Sequence, residues 1–257
     1  MPELFDTHAH YTDNRLRGRD ELITQSFDGG VGHITCVGTS LDDSRECAEV
    51  ASRYPHMYSS AGIHPHECEA LTDIDGEMNE LERLLKMPKV VALGEIGLDY
   101  HYDSDWADKQ KEYFRAQLEL AKMTDMPVII HDRDAHGDVF DILREYRGVR
   151  GIIHSCSESA EAVREYVKMG WYISFSGVIT FKNASKILES VMATPADRIL
   201  IETDSPYLAP VPVRGTDNFS YNVRYTAQTA ANVLGMDYDE FCAQSTENAK
   251  MIYGIED

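Results

Sequence analysis

Eight short apolar runs, alternating with stretches patterned as helices, constrain this chain more than any other feature. The runs cover residues 4–10, 33–39, 57–64, 90–99, 127–133, 151–156, 171–177 and 198–205. Several are rich in Val and Ile and apolar on both faces, as in Pro127-Val128-Ile129-Ile130. That pattern suits strands covered by helices. The helical stretches are clearest at 105–123, where Trp106, Tyr113, Leu118, Leu120 and Ala121 supply apolar faces among charges. Others run over 159–169, opened by Ser159 as a cap, and over 184–192, 221–234 and 238–253.

One strand plus one helix takes about 30 residues. Eight such units within 257 residues predict α/β architecture, a single (β/α)₈ TIM barrel and one domain over 1–257. A doubly wound open sheet is the competitor, and it usually carries a phosphate-binding glycine turn. Gly29-Gly30-Val31-Gly32 precedes a strand instead of following one, so a helix stop and turn accounts for it better.

The chemistry sits at the strand ends. The first run ends Asp6-Thr7-His8-Ala9-His10 and the third Gly62-Ile63-His64-Pro65-His66. The fourth holds Gly94-Glu95-Ile96-Gly97-Leu98-Asp99. The fifth ends His131-Asp132-Arg133, the sixth His154-Ser155-Cys156 and the eighth Glu202-Thr203-Asp204-Ser205. In a (β/α)₈ barrel these carboxyl ends share one face, where catalytic sites lie.

Alternate residues of a strand point the same way, so His8 and His10 form a natural chelate. Taken singly, His131 and His154 read better as hydrogen-bonded core histidines, and Glu95 and Asp204 have neutral explanations too, including pairing with a buried arginine. Together the six match a binuclear centre of the metal-dependent hydrolase type. One divalent cation is expected on His8, His10 and Asp204, a second on His131 and His154, with Glu95 shared. Such a pair activates water and stabilises a leaving oxygen. Asp204 is expected to accept the proton of that water, with Glu95 as the second catalytic acid. The donors suit Zn, Ni, Mn or Mg. His64, His66, Arg133, Tyr207 and Arg214 are candidate substrate contacts, and Glu202 a support for a ligand.

These motifs together resemble the TatD family of metal-dependent hydrolases and deoxyribonucleases. Ile130-His131-Asp132-Arg133, Ile173-Ser174-Phe175-Ser176-Gly177 and Glu202-Thr203-Asp204-Ser205-Pro206-Tyr207-Leu208 carry the resemblance further, in order and over essentially the whole chain. It implies an amidohydrolase-type barrel, divalent metals at the six positions, a further site position at His64, and phosphodiester hydrolysis, often as a 3′-to-5′ exonuclease on DNA. Two departures stand out. The family commonly has His-x-Phe-Ser-Gly where this chain has His154-Ser155-Cys156-Ser157-Glu158. Its Arg-Gly segment is commonly followed by Asn-x-Pro, whereas here Arg214-Gly215-Thr216-Asp217-Asn218-Phe219-Ser220 lacks the proline. Both fall in βα loops, where substrate choice is set.

The formal charge of −20 argues against broad adhesion to nucleic acid or anionic membrane. It leaves room for a DNA end or short oligonucleotide held by metals and a few local cations. The alternative keeps the metals and hydrolyses a small ester, amide, lactone or phosphoester. No apolar run reaches the roughly 18 residues that span a bilayer, and the first residues lack a secretory pattern. Five scattered cysteines have no C-x-x-C spacing. A cytoplasmic protein with reduced thiols and no obligate protein partner is expected.

Overall fold

The computed structural model describes residues 3–101 and 105–256. Met1 and Pro2, the start of the segment read for a leader, lie outside the described residues, as do 102–104 and 257. Eight strands appear: β1 (Leu4–Ala9), β2 (Val31–Val37), β3 (Met57–Ala61), β4 (Val90–Asp99), β5 (Val128–Arg133), β6 (Gly151–Ile153), β7 (Tyr172–Phe175) and β8 (Ile199–Ile201). They are ordered β1 to β8 in one eight-stranded sheet. The α-helices are α1 (Asp20–Asp28), α2 (Leu41–Ser52), α3 (Ile74–Leu84), α4 (Ala107–Thr124), α5 (His136–Glu145), α6 (Ala160–Lys168), α7 (Ser185–Ala193), α8 (Val223–Leu234) and α9 (Tyr238–Tyr253). Strand and helix alternate throughout, which is the (β/α)₈ TIM-barrel class.

The chain divides into two compact units, Met1–Cys36 with Ser155–Asp257, and Val37–His154. In the first, β1 pairs in parallel with β2, and β7 with β8. Phe5 is buried between the His33 ring, stacked at 5.2 Å, and the Tyr253 ring at 5.7 Å. Helix α9 is tied to the strands by polar bonds as well. Tyr253 Oη donates to the Thr7 carbonyl at 2.9 Å, and Asn248 Nδ2 to those of Ala196 and Ile199. Ser159 caps α6 by accepting from the Ala162 N–H. Helix α1 stops at Gly29, and Gly30 turns the chain at φ 96°. Val31 and Gly32 then belong to β2, so the glycine cluster is partly strand.

In the second unit β3, β4, β5 and β6 pair in parallel, in order. Two buried glutamines of α4, seven residues apart and so on one helix face, grip the strand ends. Gln117 accepts from the Ile63 N–H at 2.8 Å and donates to the Ile63 carbonyl at 3.0 Å. Gln110 does the same for Asp99, at 2.9 and 3.0 Å. These amides hold the backbone beside His64 and at the end of β4. Gly97, at φ 145°, lets β4 approach β5, because a Cβ there would lie 1.9 Å from the His131 carbonyl oxygen.

Candidate metal centre

In the first unit the donors come from the end of β1 and the segment after β8. Three backbone contacts fix their register. The Asp204 N–H donates to the His8 carbonyl at 2.9 Å, the His10 N–H to that of Ser205 at 2.7 Å, and Ala9 bridges Ser205. Buried Asp6 adds a clamp, accepting from the Thr203 N–H at 2.8 Å and hydroxyl at 2.6 Å. Burial pushes the Asp6 carboxyl up to about 7, against the hydrogen bonds from Ser220 and Thr203. Asp204 adopts φ 54°, a left-handed conformation that aspartate tolerates better than most residues.

The resulting side-chain geometry is convergent. The Nε2 atoms of His8 and His10 are 3.1 Å apart, and Asp204 Oδ1 lies 3.9 and 3.5 Å from them. Ligands about 2.1 Å from a tetrahedral cation stand about 3.4 Å from one another, so these three donors fit one. Glu202 is fully buried and accepts from the Ser155 N–H at 2.8 Å, fixing the backbone just after His154.

In the second unit Glu95 is the hub. Its Oε1 lies 2.6 Å from His131 Nδ1, 3.1 Å from His154 Nε2 and 3.8 Å from His64 Nε2. His64, Glu95 and His131 can each turn a ligand atom toward a common point. Burial works against charge on His131, but hydrogen bonds with Asp99 and Glu95 outweigh it and raise its pKa to about 9. The ring is therefore held between two carboxylates, Glu95 on Nδ1 and Asp99 on Nε2, the latter at 3.1 Å. With Asp99 backing Nε2, as a carboxylate backs a metal-bound imidazole, Nδ1 and the adjacent Glu95 Oε1 fit as co-ligands of one divalent cation.

His64 is different. Its Nδ1 accepts from the His66 N–H at 3.2 Å, which leaves the proton of the neutral ring on Nε2. Burial, then the neighbouring His131, holds its pKa well below the ordinary histidine range, so the ring is neutral. A neutral Nε2–H suits a donor to an anion better than a metal ligand.

The remaining candidates divide. His66 is half-exposed and places Nε2 3.0 Å from Asp99 Oδ2. Arg133 ends β5 and is exposed. Tyr207 is exposed beside His10, with ring centroids 6.4 Å apart, while the Arg214 guanidinium stacks on Phe181 at 3.7 Å. Asp99 was not among the site residues expected. It is 1 % exposed and meets His131, His66 and the His101 N–H. Burial would raise its pKa, but those bonds hold it far below the carboxylate range. Its sequence signal is the spacing Glu95, Gly97, Asp99 on one strand face.

A (β/α)₈ fold with histidine and carboxylate clusters at its strand ends defines a metal-dependent hydrolase. The family model described as TatD related DNase matches residues 5–254, and the chain belongs to this family. It is 42% identical over 255 residues to the metal-dependent hydrolase YabD of Bacillus subtilis (strain 168), covering 98% of this chain and 99% of the relative. To YcfH of Escherichia coli (strain K12), also described as a metal-dependent hydrolase, it is 33% identical over 98% of this chain and 96% of the relative. The crystal structure of YjjV, a TatD homologue from E. coli K12, superposes with a TM-score of 0.92 at 27% identity, covering 98% of both chains. Among the described residues no helix is long and apolar enough to cross a membrane.

Proposed function

We propose that this metal-dependent hydrolase is a phosphodiesterase of the deoxyribonuclease type that uses two divalent cations and acts at a DNA end or on a short oligonucleotide. The supporting observation is the convergence of His8 and His10 on Asp204 in one unit, and of His131 and His154 on Glu95 in the other. These six residues would hold the cations. Bound there, divalent cations polarise a phosphoryl oxygen and make water a stronger nucleophile at neutral pH.

The chain's own groups do the rest. Asp204 has a partly open carboxylate on a fixed backbone, and it takes the proton of the attacking water. The water oxygen bonds to phosphorus as the ester P–O bond breaks, and the departing oxygen takes up the proton held by Asp204 and leaves as the alcohol. His64 presents its Nε2–H to a phosphoryl oxygen and offsets the charge that builds there. Asp99 orients His131 through Nε2, which turns Nδ1, beside Glu95 Oε1, toward the cation. The five cysteines are free, in keeping with a cytoplasmic setting.

The test is nucleotide release from 3′-end-labelled and 5′-end-labelled single strands with Mg, Mn, Zn or Ni in turn, and with chelator. The proposal predicts chelator-sensitive release that begins at the 3′ end. No release with any of these ions removes the deoxyribonuclease reading.

A further inference from the structure

Few cations serve a protein of formal charge −20, and their placement is informative. The loop between β1 and α1 carries three of them, Arg15, Arg17 and Arg19, against the single acid Asp13, directly after His10. Two are turned elsewhere. Arg17 Nε donates to the Thr12 carbonyl at 3.1 Å, and Arg19 lies 3.6 Å from Asp217 and 3.5 Å from Glu21.

Arg15 is built into the site side of the loop. Its guanidinium lies 4.2 Å from the centroid of the Tyr207 ring. Asp13 holds both residues, accepting from Arg15 Nε at 3.2 Å, from the Arg15 N–H at 2.8 Å and from the Tyr207 hydroxyl at 2.9 Å. Tyr207 is in turn fixed to the first-unit cluster, since its N–H donates to the Asp204 carbonyl at 2.9 Å and its ring meets His10 edge-on. The loop is braced from behind by buried Leu16 and by the Leu16 and Arg17 N–H groups on the Asp13 carbonyl, each at 2.8 Å. Despite this bracing, the Arg15 side chain is 42% exposed and Tyr207 is 46% exposed. A residue held this firmly yet open to solvent is set to meet something from solution.

We infer that Arg15, seated on Tyr207 and oriented by Asp13, is an anion subsite that holds a phosphate of the nucleic acid strand beside the cluster of His8, His10 and Asp204. Asp13 engages the guanidinium through Nε and the Tyr207 hydroxyl accepts from it as well, so its remaining N–H groups are the ones presented to the phosphate. Planar guanidinium forks bind phosphate oxygens in pairs. The ring under the guanidinium holds its plane, which lowers the entropy lost on binding. Arg15 is a substrate-binding residue, and this role rests on the phosphodiesterase reading above.

The test titrates the metal-loaded protein with a phosphorothioate dinucleotide by calorimetry, with inorganic phosphate as a separate arm. Arg15→Gln should weaken dinucleotide binding about tenfold to a hundredfold, the loss expected for a charge-assisted hydrogen bond. Arg15→Lys should recover part of it, and Tyr207→Ala should weaken binding in the same direction. With an ordinary dinucleotide, Arg15→Gln should raise KM by more than it lowers kcat. Wild-type protein that does not bind the dinucleotide, or binding that Arg15→Gln leaves intact, overturns the subsite. Inorganic phosphate binding as tightly as the dinucleotide overturns its assignment to a strand. Binding through Arg15 without any turnover by wild type leaves the subsite standing and removes the phosphodiesterase reading.

Discussion

Asp99 illustrates how a group two bonds away from the chemistry can matter. It faces His131 Nε2 while Glu95 takes Nδ1, so it sets the ring's orientation and basicity. Asp99→Asn should lower divalent-metal affinity at the Glu95, His131 and His154 cluster about 10–100-fold, measured by competition with a chromophoric chelator. Affinity at His8, His10 and Asp204 serves as the internal reference. Ser220 makes a separate point. The family's proline at this place has no N–H, whereas here the Ser220 N–H donates to Tyr11 Oη at 3.2 Å and Tyr11 returns a bond to Ser220 Oγ at 2.9 Å. Burial raises the Tyr11 hydroxyl to about 12, so it stays protonated and able to donate. Tyr11→Phe leaves the buried Ser220 groups without that partner and should cost about 1–3 kcal/mol in urea unfolding. An unchanged midpoint would contradict this role. The candidate ligands were legible because polar residues ending apolar runs are conspicuous. Asp99 was not, because one more acid after Gly-Leu looks like a strand simply ending. Arg15 was hidden because only tertiary contact sets it on Tyr207.

Helix α4 shows what pattern alone conveys and what it omits. Its apolar face predicted 105–123, and the helix runs Ala107–Thr124. Nothing in that periodicity reveals that Gln110 and Gln117 clamp Asp99 and Ile63. Gln117→Leu should destabilise the protein by about 2–4 kcal/mol in chemical denaturation, since the buried Ile63 N–H and carbonyl both lose a partner. Loss of less than about 0.5 kcal/mol would show that another group satisfies them. Strand β4 runs Val90–Asp99 as expected, whereas β6 and β8 stop at Ile153 and Ile201. The chain leaves the ladder there because Ser155 and Asp204 turn to φ 41° and 54°. An apolar run extends up to such a turn but does not announce it. Helices α1, α2, α3 and α5 are each shorter than α4 and repeat their pattern over fewer turns. Helix α2, Leu41-Asp42-Asp43-Ser44-Arg45-Glu46-Cys47, buries small side chains, so its inner face carries little apolar signal. The loop before α8 has a structural part that no sequence pattern announces. Buried Asn218 donates to the carbonyls of Thr203 and Tyr207, both at 2.9 Å, which anchors the segment carrying Asp204.

The chain as a physical object is strongly acidic, with its clustered carboxylates near imidazoles in both compact units. Cations bound there stabilise the folded state by mass action. At one hundred times Kd each adds about 2.7 kcal/mol, or roughly 5–10 °C in unfolding midpoint for a chain of this length. Chelation should therefore lower the midpoint by at least that amount, and His8→Ala should abolish part of the metal-dependent gain. A midpoint indifferent to chelator would contradict tight binding. The most direct measurement is anomalous diffraction from metal-loaded crystals, collected on both sides of the absorption edge. Two peaks are predicted, one about 2.0–2.2 Å from His8 Nε2, His10 Nε2 and an Asp204 oxygen, the other at that range from Glu95, His131 and His154. Peaks at neither cluster, or only at surface carboxylates, would contradict the account.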